Sequence, residues 1–349
     1  MKHCCDNVVN WKLVFYMFYL KKRIVMRESK MNDFMMSVIT DLENSGRYST
    51  AHVYRCALKA ALSYGGVAVR LDEITPGWLV DYQAYLLSQQ LLWNTISTYM
   101  RMLRAVYNRA VDAGIAPYIP HHFKNVFTGR QANHQRALEG DEMRRILSEE
   151  GEPIKKQVED SENADVENKS GTHSRHNLLW ARACLELMLR FHGMPFVDLA
   201  HLRKSDLRNG YLMIRRHKTG MPLSIEVGPR AMALLGCYAH PDPDSPYLLD
   251  ILGGTFTGKQ AYREYQGVLR LLNLRLSQLA RKRGVGHRVS SYSARHTWAT
   301  VAKRCGIPVE VISEALGHAS IATTEGYLKQ FDNRTIGKAN KVIINYILG

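Results

Sequence analysis

No stretch of this chain is apolar for long enough to cross a bilayer, which takes about 20 residues. The longest apolar run, Leu13–Leu20, has eight residues and is flanked by Lys12 and by Lys21-Lys22-Arg23. It also lacks the small-residue cleavage site of a secretory signal. Residues 1–30 are therefore expected to be an N-terminal extension, disordered or translated from an upstream start, and no membrane partner is expected. Cysteine is sparse and unpatterned. Cys4, Cys5, Cys56, Cys184, Cys237 and Cys305 form no C-x-x-C pair and no Cys/His spacing suited to a metal. Cys56, Cys184 and Cys305 fall in helical patterns, where reduced core thiols are expected. The reading is a cytoplasmic, nucleoid-associated protein. Disorder and collagen-like composition are also excluded, because 46% of the 349 residues are hydrophobic and 23% charged.

Acid is missing where base is dense. Residues 259–307 hold eleven Lys/Arg and one acid, Glu264. Exposed basic groups without partners repel one another, so such a block points to phosphate contact. The whole chain carries 47 Lys+Arg against 32 Asp+Glu, a formal charge of +15. That balance suits a polyanion such as nucleic acid. Residues 150–167 run the other way, with seven acids against Lys155 and Lys156.

The expected fold class is mainly α with a small antiparallel β-hairpin or sheet, an α+β chain of two domains. Residues 31–125 show helical periodicity and predict a four-helix unit. Its helices are expected at Phe34–Leu42, Ala51–Tyr64 after Ser49-Thr50, Trp78–Leu87 and Thr95–Ala113, the last with Asn94 or Thr95 as N-cap. Residues 126–138 read as a linker. A second domain is expected over 139–330, broken by an acidic insertion at 150–175 without periodicity. It opens with helices over Leu178–Phe191 and from about Pro195 to Arg203. A hairpin then pairs Tyr211–His217 with Pro222–Val227 across Lys218-Thr219-Gly220. Residues 331–349 bring Ile336, Ala339, Val342, Ile343 and Tyr346 to one side at helical spacing. They form either a self-packing helix or a subunit-docking tail.

Gly253–Lys259 matches G-x-x-x-x-G-K, the phosphate-cradling loop, but Gln260 replaces the hydroxyl that would hold Mg²⁺. No acid follows between residues 265 and 307. A Gly-rich surface turn is the better reading, and no cofactor or metal is expected.

Chemistry concentrates near the C-terminus. The chain reads Ser291-Tyr292-Ser293-Ala294-Arg295-His296-Thr297-Trp298-Ala299-Thr300, then Leu316-Gly317-His318, then Thr323-Thr324-Glu325-Gly326-Tyr327. Each motif alone is weak; three in this order are specific. The chain resembles the tyrosine recombinase, or phage integrase, family. His192-Gly193-Met194-Pro195-Phe196-Val197-Asp198-Leu199 and Ser291–Thr300 are most similar to Bacteroides-type mobile-element integrases. Asn94-Thr95, Tyr99, Met100 and Leu103-Arg104 resemble the family's SAM-like core-binding domain.

The resemblance implies a site-specific recombinase that cleaves and rejoins DNA through a covalent 3′-phosphotyrosine, without ATP or metal. The physical demands agree. A phosphodiester needs cationic donors on its anionic oxygens, an in-line nucleophile and an acid for the leaving alkoxide. Arg295 offers a permanently charged fork and His318 a second donor. Tyr327 offers the nucleophile. The resemblance assigns Lys218 as general acid. It also implies a homotetramer on double-stranded DNA, accessory DNA-bending proteins, and two domains closing around the duplex. Candidate DNA contacts are Arg101, Arg104, Arg190, Arg215, Arg216, Arg288 and His296.

The sequence departs from the family in two places. An Arg expected at His192 or Pro195 is absent; His192 is a weaker donor when neutral, and Arg190 lies two residues away. Tyr292 stands where the wider family has His, and a phenol can still donate. The lost Arg keeps open an alternative: a DNA-binding relative weakened in cleavage, acting as an accessory or regulatory factor.

Overall fold

A computed structural model of the chain describes residues 29–131, 137–148, 177–318, 320–325 and 340. The expectations for residues 1–28, for the acidic insertion from 150 to 175, for Tyr327 and for the tail beyond it lie outside the described residues. The chain divides into two compact units, Met1–Gln131 and Ala132–Gly349. Among the described residues the fold is helical with one small antiparallel sheet.

The first unit contains α1 (Met31–Asn44), α2 (Tyr48–Gly65), α3 (Pro76–Ser88) and α4 (Trp93–Asp112). Each buries one stripe at helical spacing. In α1 the stripe is Met31, Met35, Val38, Ile39 and Leu42; in α4 it includes Ile96, Met100, Leu103, Val106 and Tyr107. The α2 stripe includes Ala51, Ala57 and Ala61, whose small side chains let α1 and α4 pack closely on it. Burying each large apolar side chain stabilises the unit by roughly 1.5–3 kcal/mol.

All four helices start two or three residues earlier than expected, and two of these starts change the cap. Helix α2 begins at Tyr48, with Arg47 at the N-cap and no side-chain cap, so Ser49 and Thr50 lie within its first turn. Helix α4 begins at Trp93, with Leu92 at the N-cap, which puts Asn94 inside the helix. The Asn94 amide is engaged elsewhere: it donates to the Gln131 carbonyl and accepts from the Gln131 N–H, both at 2.9 Å. Ser97 donates to the Gly129 carbonyl at 2.6 Å, and the Phe127 N–H donates to Gln83 at 2.6 Å. Residues 127–131 are thus tied back onto α3 and α4 rather than forming a free linker. Helix α3 starts at Pro76 rather than Trp78 and is capped locally, with Thr75 accepting from the Trp78 N–H at 3.1 Å and Pro76 at the first helical position.

The second unit is built around α6 (Leu178–Arg190), buried at every position from Trp180 to Met188. A helix that is covered all round is a central one. Packed against it are α5 (Gly140–Leu147), α7 (Phe196–Ala200), α8 (Pro229–Cys237), α9 (Gly258–Lys282) and α10 (Ser291–Arg304). Helices α11 (Val309–Ala315) and α12 (Ile321–Glu325) complete the described elements. The sheet runs β1 (Leu207–Arg208), β2 (Tyr211–Arg215), β3 (Pro222–Glu226), with Leu212 opposite Ile225 and Ile214 opposite Leu223.

Several elements of this unit differ from expectation. Strand β1 was not anticipated, since two residues carry no periodicity. Helix α7 stops at Ala200 instead of Arg203; the chain then turns through Lys204–Asp206, where the Lys204 N–H donates to the Pro246 carbonyl. The hairpin strands each end earlier than expected, at Arg215 and Glu226. Ser291–Thr300 lies within helix α10. Cys184 is buried and Cys56 half-buried, but Cys305 is exposed just past the end of α10. Gly253–Lys259 is a surface turn into α9, its first N–H donating to Glu264 at 2.8 Å. No described helix is long and apolar enough to cross a membrane.

Candidate active site

Arg295 lies on the inward face of α10 and is 3% exposed. A guanidinium is never neutral at ordinary pH, so burial demands acceptors around it. The fold supplies them from two turns. The first follows α6, where His192 (φ 56°) and Gly193 (φ 66°) are both left-handed. This reversal brings the Gly193 carbonyl to Nη1 of Arg295 at 3.1 Å. A Cβ at Gly193 would stand 3.0 Å from the Arg295 Cα, so the approach requires glycine. The second turn ends α11. Nη2 of Arg295 donates to the Leu316 carbonyl at 2.8 Å and lies 2.7 Å from Nε2 of His318. Gly317, at φ +62°, lets this turn pass close to the Arg216 side chain.

Arg216 is the first site residue the structure reassigns. Expected to contact DNA, it is buried and turned inward, paired with Asp198 of α7 at 2.6 Å. It also donates to the Leu316 carbonyl, the acceptor that Arg295 uses. The other oxygen of Asp198 accepts from the His217 N–H at 2.8 Å. A buried carboxylate thereby fixes the end of β2, and with it the turn that carries exposed Lys218. Lys218 is close enough for its charge to act on His318.

His318 is neutral near pH 7. Burial lowers its pKa, and the charges of Arg295, Arg216 and Lys218 lower it further, to about 4. Its Nδ1 meets Oγ1 of Thr324, which is fully buried, at 2.8 Å. The structure thus gathers Arg295 and His318 in direct contact and brings Lys218 within electrostatic range. Three cations converge there, with Asp198 as their nearby acid, an environment suited to an anion.

The other expected residues are placed as follows. His192 is half-buried with its pKa lowered by burial, its ring 5.7 Å from that of Trp298 on α10. Its neighbour Gly193, not His192 itself, supplies the contact to Arg295. Tyr292 is 51% exposed on the outer face of α10, its ring 6.4 Å from that of His296. Arg288 is exposed just before α10, and Arg215 is exposed on β2. Arg190, expected to reach toward the site, is instead held by Glu186 at 2.8 Å. Glu186 also pairs with Arg230 at 3.2 Å, and its carboxyl is held below the usual range: burial opposes the shift, but hydrogen bonds from the two arginines outweigh it. Arg101 and Arg104 lie on α4 of the first unit; Arg101 folds back on Ser97 and Thr98, and Arg104 is exposed. The basic block is partly engaged as well: Arg304 pairs with Glu139, and Arg283 donates to the Ser148 carbonyl at 3.0 Å. Sequence reasoning missed Asp198, Thr324 and the carbonyls of Gly193 and Leu316. A buried acid has to find a cation, but its choice of Arg216 is made through space. Among the described residues no group of three or more His, Cys, Asp or Glu is arranged to hold a metal.

Comparison with known proteins places this arrangement. The Phage integrase SAM-like domain matches residues 30–126, and the Phage integrase family matches residues 164–334, a span that includes Tyr327. Tyrosine recombinase XerA of Pyrococcus furiosus is 27% identical over 146 residues, covering 41% of this chain and 48% of the relative. Tyrosine recombinase XerC of Chromohalobacter salexigens is 28% identical over 153 residues, covering 42% and 47%. The chain therefore spans about half the length of these curated relatives in the regions it matches. Two solved structures share the fold. A lambda integrase (residues 75–356) dimer bound to a COC′ core site superposes with a TM-score of 0.60 at 14% identity, over 87% of this chain and 98% of that one. XerH site-specific recombinase bound to a palindromic difH substrate gives a TM-score of 0.60 at 19% identity, over 88% and 83%. The fold is that of the tyrosine recombinases, with a helical core-binding unit and a catalytic unit. The chain belongs to the phage integrase family.

Proposed function

We propose that this protein is a site-specific DNA recombinase that cuts and rejoins duplex DNA through a covalent 3′-phosphotyrosine at Tyr327. The observation that carries the reading is the buried contact of Arg295 with His318, which draws together two residues 23 positions apart in sequence. In this reading Arg295 grips a non-bridging phosphate oxygen, because its fork is charged at every accessible pH. His318 gives a second hydrogen bond, and Tyr292 and His192 lie at the margin as further donors. The Tyr327 oxygen attacks phosphorus in line, releasing its own proton to solvent, and the 5′ oxygen leaves, taking a proton from Lys218. The new phosphotyrosine conserves the energy of the broken linkage, so rejoining needs no nucleotide hydrolysis.

Lambda integrase, which shares this fold, was captured as a dimer on a core site and as a tetramer on a Holliday junction. By analogy this chain works as a tetramer on two duplexes, with residues 331–349 as the tail that docks on a neighbouring copy. Exposed Arg104, Arg215 and Arg288 serve as phosphate contacts, with Arg101 and His296 beside them; such contacts orient a protein on DNA, while base edges supply specificity. The Bacteroides-type mobile-element subtype, accessory DNA-bending proteins and association with the nucleoid belong to the same proposal.

The test is a nicked half-site from DNA flanking the encoding gene, whose short cleaved strand diffuses away and traps the intermediate. The expected product is an SDS-stable adduct with protein on the DNA 3′ end and a free 5′ hydroxyl opposite. Attachment to the 5′ end, or salt-sensitive binding with no adduct on a cognate half-site, would refute the reading.

A further inference from the structure

The contacts of His318 determine which ring nitrogen carries the proton. A guanidinium has five N–H donors and no acceptor. Nη2 of Arg295, 2.7 Å from Nε2, can only donate to it, so Nε2 presents its lone pair. The ring is neutral near pH 7 and holds one proton. That proton is therefore on Nδ1, and the acceptor at 2.8 Å is the hydroxyl of Thr324. Thr324 is 0% exposed, so no water substitutes for it if the hydroxyl is lost.

This arrangement is poised rather than active. A bare Nε2 cannot donate to a phosphate. An arriving phosphate oxygen competes with Nε2 for the guanidinium, and its negative charge offsets the cationic field that depresses the ring. Nε2 then takes a proton from solvent. The resulting imidazolium donates Nε2–H to the phosphate oxygen and Nδ1–H, as before, to Thr324. Resting on the recombinase reading above, we propose that Thr324 is a positioning residue: its hydroxyl holds the ring proton on Nδ1 in both states. Nε2 is then the nitrogen that faces the phosphate and receives the new proton. Outer partners of this kind fix ring orientation and tautomer, and their loss costs about 10–100-fold in metal sites built on the same logic.

Two measurements test the proposal on the full-length protein. The first needs no DNA: ¹⁵N shifts of the histidine rings, with His318 assigned by comparison with His318→Gln. Nδ1 protonated and Nε2 bare at neutral pH is the expected state; an Nε2–H tautomer would overturn the proposal. The second compares Thr324→Val, which keeps the shape but removes the hydroxyl, with Thr324→Ser, which keeps the hydroxyl, in single-turnover half-site cleavage. Thr324→Val should cleave about 10–100-fold more slowly, at DNA affinity within about twofold of wild type. Thr324→Ser should recover to within about threefold. Without its acceptor the imidazolium is harder to form, so the pH–rate optimum of Thr324→Val should move to lower pH. An unchanged rate, an unchanged pH profile, or a Thr324→Ser defect equal to that of Thr324→Val would overturn the assignment. If wild type cleaves no DNA, the recombinase reading fails, while the ring tautomer still reports whether Thr324 holds His318.

Discussion

Arg216 and Arg295 show how one residue type takes different tasks in one site. Both are buried, and both donate to the Leu316 carbonyl. Arg216 is neutralised by Asp198, whereas Arg295 is held by carbonyls and a neutral imidazole. The two buried cations therefore differ in the partners described for them: a carboxylate faces Arg216, and uncharged acceptors face Arg295. Asp198→Asn tests this division. It leaves the buried Arg216 charge without its counter-charge, and unfolding in urea should show a loss of about 3–5 kcal/mol. A change below about 1 kcal/mol would mean that the pair does not hold the turn. Arg295 and His318 were legible in the sequence because the motif around each is a contiguous string. Arg216 was misread because adjacent Arg215, Arg216 and His217 look alike in sequence. Only the pleat of β2 and the position of Asp198, 18 residues upstream, turn one of them inward.

Among the elements, helices with wide apolar stripes were legible and their ends were less so. Helix α4 was expected from Thr95, but it starts at Trp93, and Asn94, expected as a cap, bonds to Gln131, 37 residues away. Strand β1 escaped because a two-residue ladder is specified by its partner Tyr211–Leu212, not by its own pattern. Helix α3 carries its start signal locally, which makes it a clean test. Thr75→Ala removes the acceptor for the Trp78 N–H and should lower stability by about 1 kcal/mol, read as a shift in the urea midpoint with unchanged slope. Thr75→Ser should restore most of it.

For the whole molecule, charge and proton linkage set the working range. His318 has a folded pKa near 4 against an ordinary 6.5. Between those values the unfolded chain binds the proton that the folded chain refuses. The contribution of His318 to stability is therefore full above about pH 6.5 and is lost as pH falls toward 4. Burial lowers the pKa values of His192 and His201 in the same direction. Stability measured from pH 7 to pH 4 should fall, and His318→Gln should flatten part of that slope; an unchanged slope would place the linkage elsewhere.

In the proposed reaction the chain breaks a DNA strand with its own phenol. The direct measurement is single-turnover trapping on a nicked half-site, wild type beside Tyr327→Phe, with duplex binding followed in parallel. Wild type should form the SDS-stable adduct, while Tyr327→Phe binds with similar affinity and forms none. An adduct of undiminished yield from Tyr327→Phe would contradict the account.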